Sequence, residues 1–252
     1  IGRLGSRENI AKAKCEVTHC MKEPKTAIVN NDPLILENIT DKNINVITFD
    51  INSPNLKIIS QEESKSVFEY KNNLYKLNIE GVYNIQNALS AIELGLILKL
   101  SPKEIANGLD EFKPFGMRWK VEKYNDNKLT IVNDCYNANP DSMKAAIKTF
   151  FEIYKNKKNV LVLGDMGELG ENEIAYHKEL GEFLNNFEFD TLITIGHLAK
   201  NINIASKNKN KIHFNDLNEC KNYIFDNIKE GNVLIKASRS MEFEKLTEGV
   251  AK

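Results

Sequence analysis

The stretch Ile131-Val-Asn-Asp-Cys-Tyr-Asn-Ala-Asn-Pro-Asp-Ser-Met143 decides how the chain folds. Leu129 to Val132 is an apolar run of strand-forming residues that leads into Asn133, Asp134, Asn137 and Asn139. Pro140 follows, with Asp141 and Ser142 where a helix would start. A strand, a polar loop and a helix N-terminus therefore follow one another. In open α/β sheets ligands bind outside the carboxyl ends of strands. Asp134, at such an end, is placed to accept ribose hydroxyls. A strand-to-helix turn capped by Asp and Asn, with no ligand, accounts for the same residues.

Working downstream, the pattern stays regular. Strands are expected at 129–133, 159–164, 191–196, 211–214 and 232–236, and helices near 141–155, 172–186, 197–206, 216–228 and 240–248. Alternating β and α elements argue for a parallel sheet covered on both faces. Two loops bring polar groups to strand ends. In Gly164-Asp-Met-Gly-Glu-Leu-Gly-Glu171 the glycines are spaced G-x-x-G-x-x-G, a poor dinucleotide fingerprint. Lys236-Ala-Ser-Arg-Ser240 follows the apolar Val233-Leu-Ile and opens the last expected helix. Helix-start amides beside Lys and Arg suit an anion or carboxylate, although a capped helix with exposed charges reads the same way.

Working upstream, residues 6–17 read as a helix capped by Ser6. Thr26 to Val29 reads as a short strand ending at Asn30-Asn-Asp-Pro33, with a turn into 34–40. Further strands are expected at 44–49, 66–70 and 74–79, the last two joined by a hairpin turn at Lys71-Asn-Asn73. A helix over 84–98 presents Ile85, Ala88, Leu89, Ile92 and Leu96 on one face. Asn84 and Asn87 share a face near its start, where carboxamides suit the edge of an adenine or simply cap and solvate the helix. Ser101-Pro-Lys-Glu104 is a helix start, and that helix is expected to end near Gly108 to Leu109. Phe112 to Gly116 reads as a linker, which gives domains of 1–116 and 117–252. Arg118 follows at once.

The 252 residues suit one or two domains. A net charge of −1 points to no nucleic-acid partner, and no apolar run is long enough to span a bilayer. Cys15, Cys20, Cys135 and Cys220 are sparse and lack C-x-x-C spacing, which suits reduced thiols in a cytosol.

Asn133-Asp-Cys-Tyr-Asn-Ala-Asn-Pro-Asp-Ser-Met143 closely resembles the D-D-S-Y-N-A-N-P-D-S-M signature of the Mur ligases, of the type that adds D-alanyl-D-alanine to the peptidoglycan precursor. Gly81-Val-Tyr-Asn-Ile-Gln-Asn-Ala-Leu89, Val162-Leu-Gly-Asp-Met-Gly-Glu-Leu-Gly-Glu171 and Lys236-Ala-Ser-Arg-Ser-Met241 agree in the same order. Four spaced motifs are more specific than one. The resemblance implies part of a central ATPase domain followed by a Rossmann-like, doubly wound, mostly parallel α/β domain. It implies a bacterial cytoplasmic enzyme in which ATP phosphorylates the terminal carboxylate of UDP-N-acetylmuramoyl-tripeptide. The amine of D-alanyl-D-alanine then displaces phosphate.

By the same resemblance Lys14 is carbamylated and helps hold Mg²⁺, Asn84 and Asn87 face adenine, Arg118 reaches the ATP phosphates, and Asp134 takes the ribose. Asn137, Asn139, Ser238 and Arg239 fall on the substrate side. Tyr83 stands where the family has His. No glycine is followed by lysine, so the chain holds no P-loop, and the resemblance places that motif and a UDP-sugar-binding domain upstream. The 252 residues alone are therefore expected to be inactive. A folylpolyglutamate synthase-like or other Mur ligase, and a non-catalytic nucleotide-binding module, are the alternative readings.

Overall fold

The computed structural model describes residues 4–113, 116–155 and 157–249. The chain divides into two compact units, Ile1–Lys113 and Pro114–Lys252. Of the stretch expected as a linker, Pro114 and Phe115 lie outside the described residues.

The first unit opens with α1 (Arg7–Cys15), where Ser6 Oγ accepts the Asn9 N–H at 3.2 Å, and a 3₁₀ turn continues it over Glu16–Cys20. β1 (Thr26–Asn30) leads to α2 (Pro33–Asn38), a short helix where a turn was expected. The Asp32 carboxylate accepts the Leu34 N–H at 2.9 Å, and Pro33, lacking an N–H, fits the first helical turn. β2 (Asn45–Phe49) runs parallel to β1. β3 (Leu56–Glu62), β4 (Lys65–Tyr70) and β5 (Asn73–Leu77) form an antiparallel meander. Lys71 and Asn72 turn β4 into β5 with φ of 49° and 62°, the left-handed pair that a two-residue hairpin needs.

α3 (Val82–Ile97) buries Ile85, Ala88, Leu89 and Ile92 of the face read from the sequence, and Leu96 is half-buried. It starts two residues before Asn84 because Gly81, at φ 101°, serves as the cap. Asn84 therefore lies inside the first turn. α4 (Pro102–Glu111) carries a full capping box between Ser101 and Glu104. It runs past Gly108, where a side chain would meet open space.

The second unit is a single six-stranded sheet. β6 (Lys120–Tyr124), β7 (Leu129–Asn133), α5 (Pro140–Ile153), β8 (Asn159–Gly164), α6 (Glu173–Leu184) and β9 (Thr191–Ile195) follow in turn. α7 (Lys200–Ala205), β10 (Lys211–Phe214), α8 (Leu217–Asn227) and β11 (Gly231–Lys236) complete the series. The strand order is β10-β9-β8-β11-β7-β6, parallel except for β6, which pairs antiparallel with β7 at the edge. From β7 the chain steps outward through β8, β9 and β10, then returns to β11. Right-handed crossovers therefore set α5, α6 and α7 on one face and α8 on the other. The core agrees: Leu129, Ile131, Val160, Val162, Val233 and Ile235 pack on the α8 side with Cys220 and Ile224. The intervening Val132, Leu161, Leu163 and Leu234 are buried as well, so both faces of the sheet are covered.

The chain's last helix, expected at 240–248, does not form. Two 3₁₀ turns stand there, Arg239–Met241 and Phe243–Leu246, separated by Glu242 at φ 50°. Phe243 and Leu246 are fully buried in the α8-side core. Each burial is worth about 1.5–3 kcal/mol, more than the ~1–2 kcal/mol of a left-handed residue. Packing therefore wins over helix continuity.

Candidate functional site

The carboxyl ends of the parallel strands of the second unit gather the polar residues. Asn133 and Ile235 face each other in the β7–β11 ladder, so Asp134 and Lys236 are the next residues on each strand. Lys236 Nζ donates to Asp134 Oδ2 at 2.7 Å, to the Asn137 carbonyl at 2.9 Å and to the Asp134 carbonyl at 3.3 Å. Three donors thus meet three acceptors. The side chains are 3% and 14% exposed. Burial pushes the Asp134 carboxyl up from its ordinary value, while the Lys236 ammonium, the Trp119 N–H and the Arg118 charge pull it down. A buried carboxylate with this cation at contact is a fixed acceptor array, and two lone-pair directions beyond its present partners are what a ribose diol would use.

Residues 117–119 run alongside this loop. The Trp119 N–H donates to Asp134 Oδ1 at 3.2 Å, and the Tyr136 N–H donates to the Met117 carbonyl at 3.2 Å. Trp119 is buried with φ 54°, a left-handed geometry that the surrounding packing holds in place. Between these two bonds the Arg118 guanidinium lies over the Tyr136 ring, with Cζ 4.0 Å from the centroid. Arg118 and Asp134 thus come together at one strand end.

The remaining sequence candidates have local partners. Asn139 caps α5: its Oδ1 accepts the Ser142 N–H at 2.8 Å, and Ser142 Oγ accepts the Asn139 N–H at 3.0 Å. Asn137 Oδ1 accepts the Ala138 N–H at 2.8 Å, on an exposed loop. Ser238 is buried, where its hydroxyl accepts the Gly167 N–H at 2.6 Å and donates to the Ala138 carbonyl at 3.4 Å. It therefore ties three strand-end loops together. Arg239 is 54% exposed and ion-paired with Glu244. The expected anion site of helix-start amides beside Lys236 and Arg239 is corrected here. No α-helix opens after Ser238, and both cations already face carboxylates.

Sequence reasoning passed over several residues that shape these loops. Asp165 Oδ1 accepts the N–H groups of Leu198 and Ala199, at 3.0 and 2.7 Å, and so sets the turn into α7. Gly196, at φ 111°, lets that carboxylate approach, since a Cβ there would lie 2.5 Å from Asp165 Oδ1. His177 is fully buried; its Nδ1 donates to the Glu173 carbonyl at 2.6 Å and its Nε2 accepts the Met166 N–H at 2.9 Å. Burial pushes its pKa down, which favours the neutral ring that this pair of bonds requires. An acidic residue directly after an apolar strand was the available signal for Asp165.

In the first unit, Asn84 Nδ2 donates to the Glu80 carbonyl at 2.7 Å, and Asn87 is exposed one turn further along α3. Gln86, which sequence reading left aside, donates to Asn30 Oδ1 at the end of β1 at 2.9 Å. Lys14 is exposed on α1, and no described residue of this unit buries it. Among the described residues no group of three or more His, Cys, Asp or Glu side chains could hold a metal. These residues do not by themselves make a Mg²⁺ site, and no step is derived through that ion.

Residues 1–95 match the Mur ligase middle domain, and residues 117–239 match the Mur ligase glutamate ligase domain. The UDP-N-acetylmuramoyl-tripeptide--D-alanyl-D-alanine ligase of Bacillus subtilis is 34% identical over 253 residues, covering 97% of this chain and 55% of that protein. The crystal structure of MurF from Acinetobacter baumannii superposes with a TM-score of 0.85 at 25% identity, over 97% of this chain and 55% of that one. MurF ligase from Thermotoga maritima, solved in complex with ADP, gives 0.81 at 25% identity, over 98% and 57%. The chain spans about half the length of the curated relatives it matches. The motifs, the strand-end loops and both domain matches agree that the chain belongs to the Mur ligase family.

Proposed function

We propose that residues 1–116 and 117–252 are the later part of the middle domain and the C-terminal domain of an ATP-dependent ligase. It joins D-alanyl-D-alanine to UDP-N-acetylmuramoyl-tripeptide. In this reaction ATP phosphorylates the tripeptide carboxylate, the dipeptide amine attacks the acyl carbon, and phosphate leaves as the amide forms. The observation that carries this reading is the strand-end loop of the second unit, where Arg118 lies over Tyr136 and Lys236 pairs with Asp134, both Tyr136 and Asp134 belonging to the Asn133–Met143 motif. The named function of the relatives supports it.

Phosphoryl transfer depends mostly on positioning and charge neutralisation. Arg118, permanently charged and exposed, is assigned to the nucleotide phosphates. Asp134 is assigned to the ribose, with Lys236 fixing its carboxylate, and Asn84 and Asn87 to the adenine edge. Asn137 and Arg239 are the exposed groups assigned to the peptide substrates, Arg239 after exchanging Glu244 for a substrate carboxylate. Asn139 and Ser238 act on that side by holding the loop that carries them. The test is an acceptor panel on the protein expressed from its full reading frame. Phosphate release with ATP and the tripeptide should need D-alanyl-D-alanine. Equal turnover with glutamate or single amino acids would overturn the substrate assignment.

A further inference from the structure

Tyr136 is a large aromatic residue left 46% exposed, on a loop whose neighbours Cys135 and Ala138 are buried. Core packing does not account for it. Its ring is covered instead by the Arg118 guanidinium, at 4.0 Å. A long arginine on a surface samples many rotamers, and ordering it on contact with a ligand opposes binding. A ring beneath the guanidinium restricts those rotamers and leaves the N–H edges free, because stacking uses the face of the group and hydrogen bonding uses its rim. The platform is itself anchored. The Tyr136 N–H bonds the Met117 carbonyl on one side of Arg118, and the Trp119 N–H bonds Asp134 Oδ1 on the other. Cys135 Sγ also meets Met117 Sδ at 3.6 Å.

We propose that Tyr136 is a positioning residue that holds Arg118 ordered, with its hydrogen-bonding rim presented to a nucleotide phosphate. This rests on the assignment of Arg118 to the phosphates. The mutation is also clean, since an exposed ring can be removed without opening the core.

The experiment is calorimetric titration of ADP and of a non-hydrolysable ATP analogue into the protein expressed from its full reading frame. Tyr136→Ala should weaken binding about three- to tenfold, in line with a partly exposed cation–π contact. Tyr136→Phe, which keeps the ring, should restore affinity, and thermal midpoints should stay unchanged. In an Arg118→Ala background, Tyr136→Ala should have no further effect. If Arg118→Ala weakens binding and Tyr136→Ala does not, the positioning role is wrong while the phosphate assignment stands. If Arg118→Ala itself leaves affinity unchanged, that assignment fails, and the proposal with it. Equal losses from Tyr136→Ala with and without Arg118 would also overturn the proposal, since the ring would then act independently of the arginine.

Discussion

Lys236 is a buried cation whose three donors are all committed to the loop that begins at Asp134. Lys236→Met leaves the Asp134 carboxylate buried without its cation, which should destabilise the second unit by about 3–5 kcal/mol. Urea unfolding of the variant checks this, and a change within about 0.5 kcal/mol, as at an ordinary surface site, would mean that water replaces the ammonium at no cost. His177 gives a pH prediction. Its folded pKa lies below the ordinary 6.5, so just beneath that pH the unfolded chain binds more protons than the folded one. Its contribution is fully present above about pH 6.5 and is lost as pH falls toward the lowered folded value. In thermal melts between pH 7.5 and pH 5, His177→Gln should show a shallower decline than the parent protein, and parallel declines would exclude the histidine as the cause. At this scale the sequence showed which residues were polar at strand ends. It did not show their partners: that Ser238 joins three loops or that Arg239 meets Glu244 depends on contacts across the sheet.

Among the elements, the buried parallel strands were the most legible. β7, β8 and β11 are buried on both faces and read as continuous apolar runs. β3 and β6 were not expected, because β3 alternates weakly in burial and β6 mixes Lys and Glu into an edge strand. The end of the chain was misread because Phe243 and Leu246, three apart, fit an α-helix and a 3₁₀ turn equally well. The left-handed Glu242 left no mark in composition. The same segment limits β8. A Cβ on Gly164 would lie 2.4 Å from the Phe243 ring and 2.7 Å from Ala237 Cβ. Gly164→Ala should therefore cost about 1–3 kcal/mol through overpacking, measured by chemical denaturation. A neutral result would mean that the 243–246 turn yields without loss.

For the whole molecule, the two compact units match two domains of one ligase family, and the 252 residues hold no G-x-x-x-x-G-K-[ST] sequence. In P-loop nucleotide enzymes the loop's amides and lysine cradle the β- and γ-phosphates. The 252-residue chain alone should thus release no phosphate above background when given ATP, tripeptide and dipeptide, and turnover there would show that its own residues suffice. The strand-end loop opened by Asp134 is proposed to hold the nucleotide. Calorimetric titration of a non-hydrolysable ATP analogue into the protein from its full reading frame, compared with its Asp134→Ala variant, measures it. Loss of a charged hydrogen-bond partner should weaken binding by about 1–3 kcal/mol, roughly five- to 150-fold. Unchanged affinity in a variant that is still folded would contradict the claim.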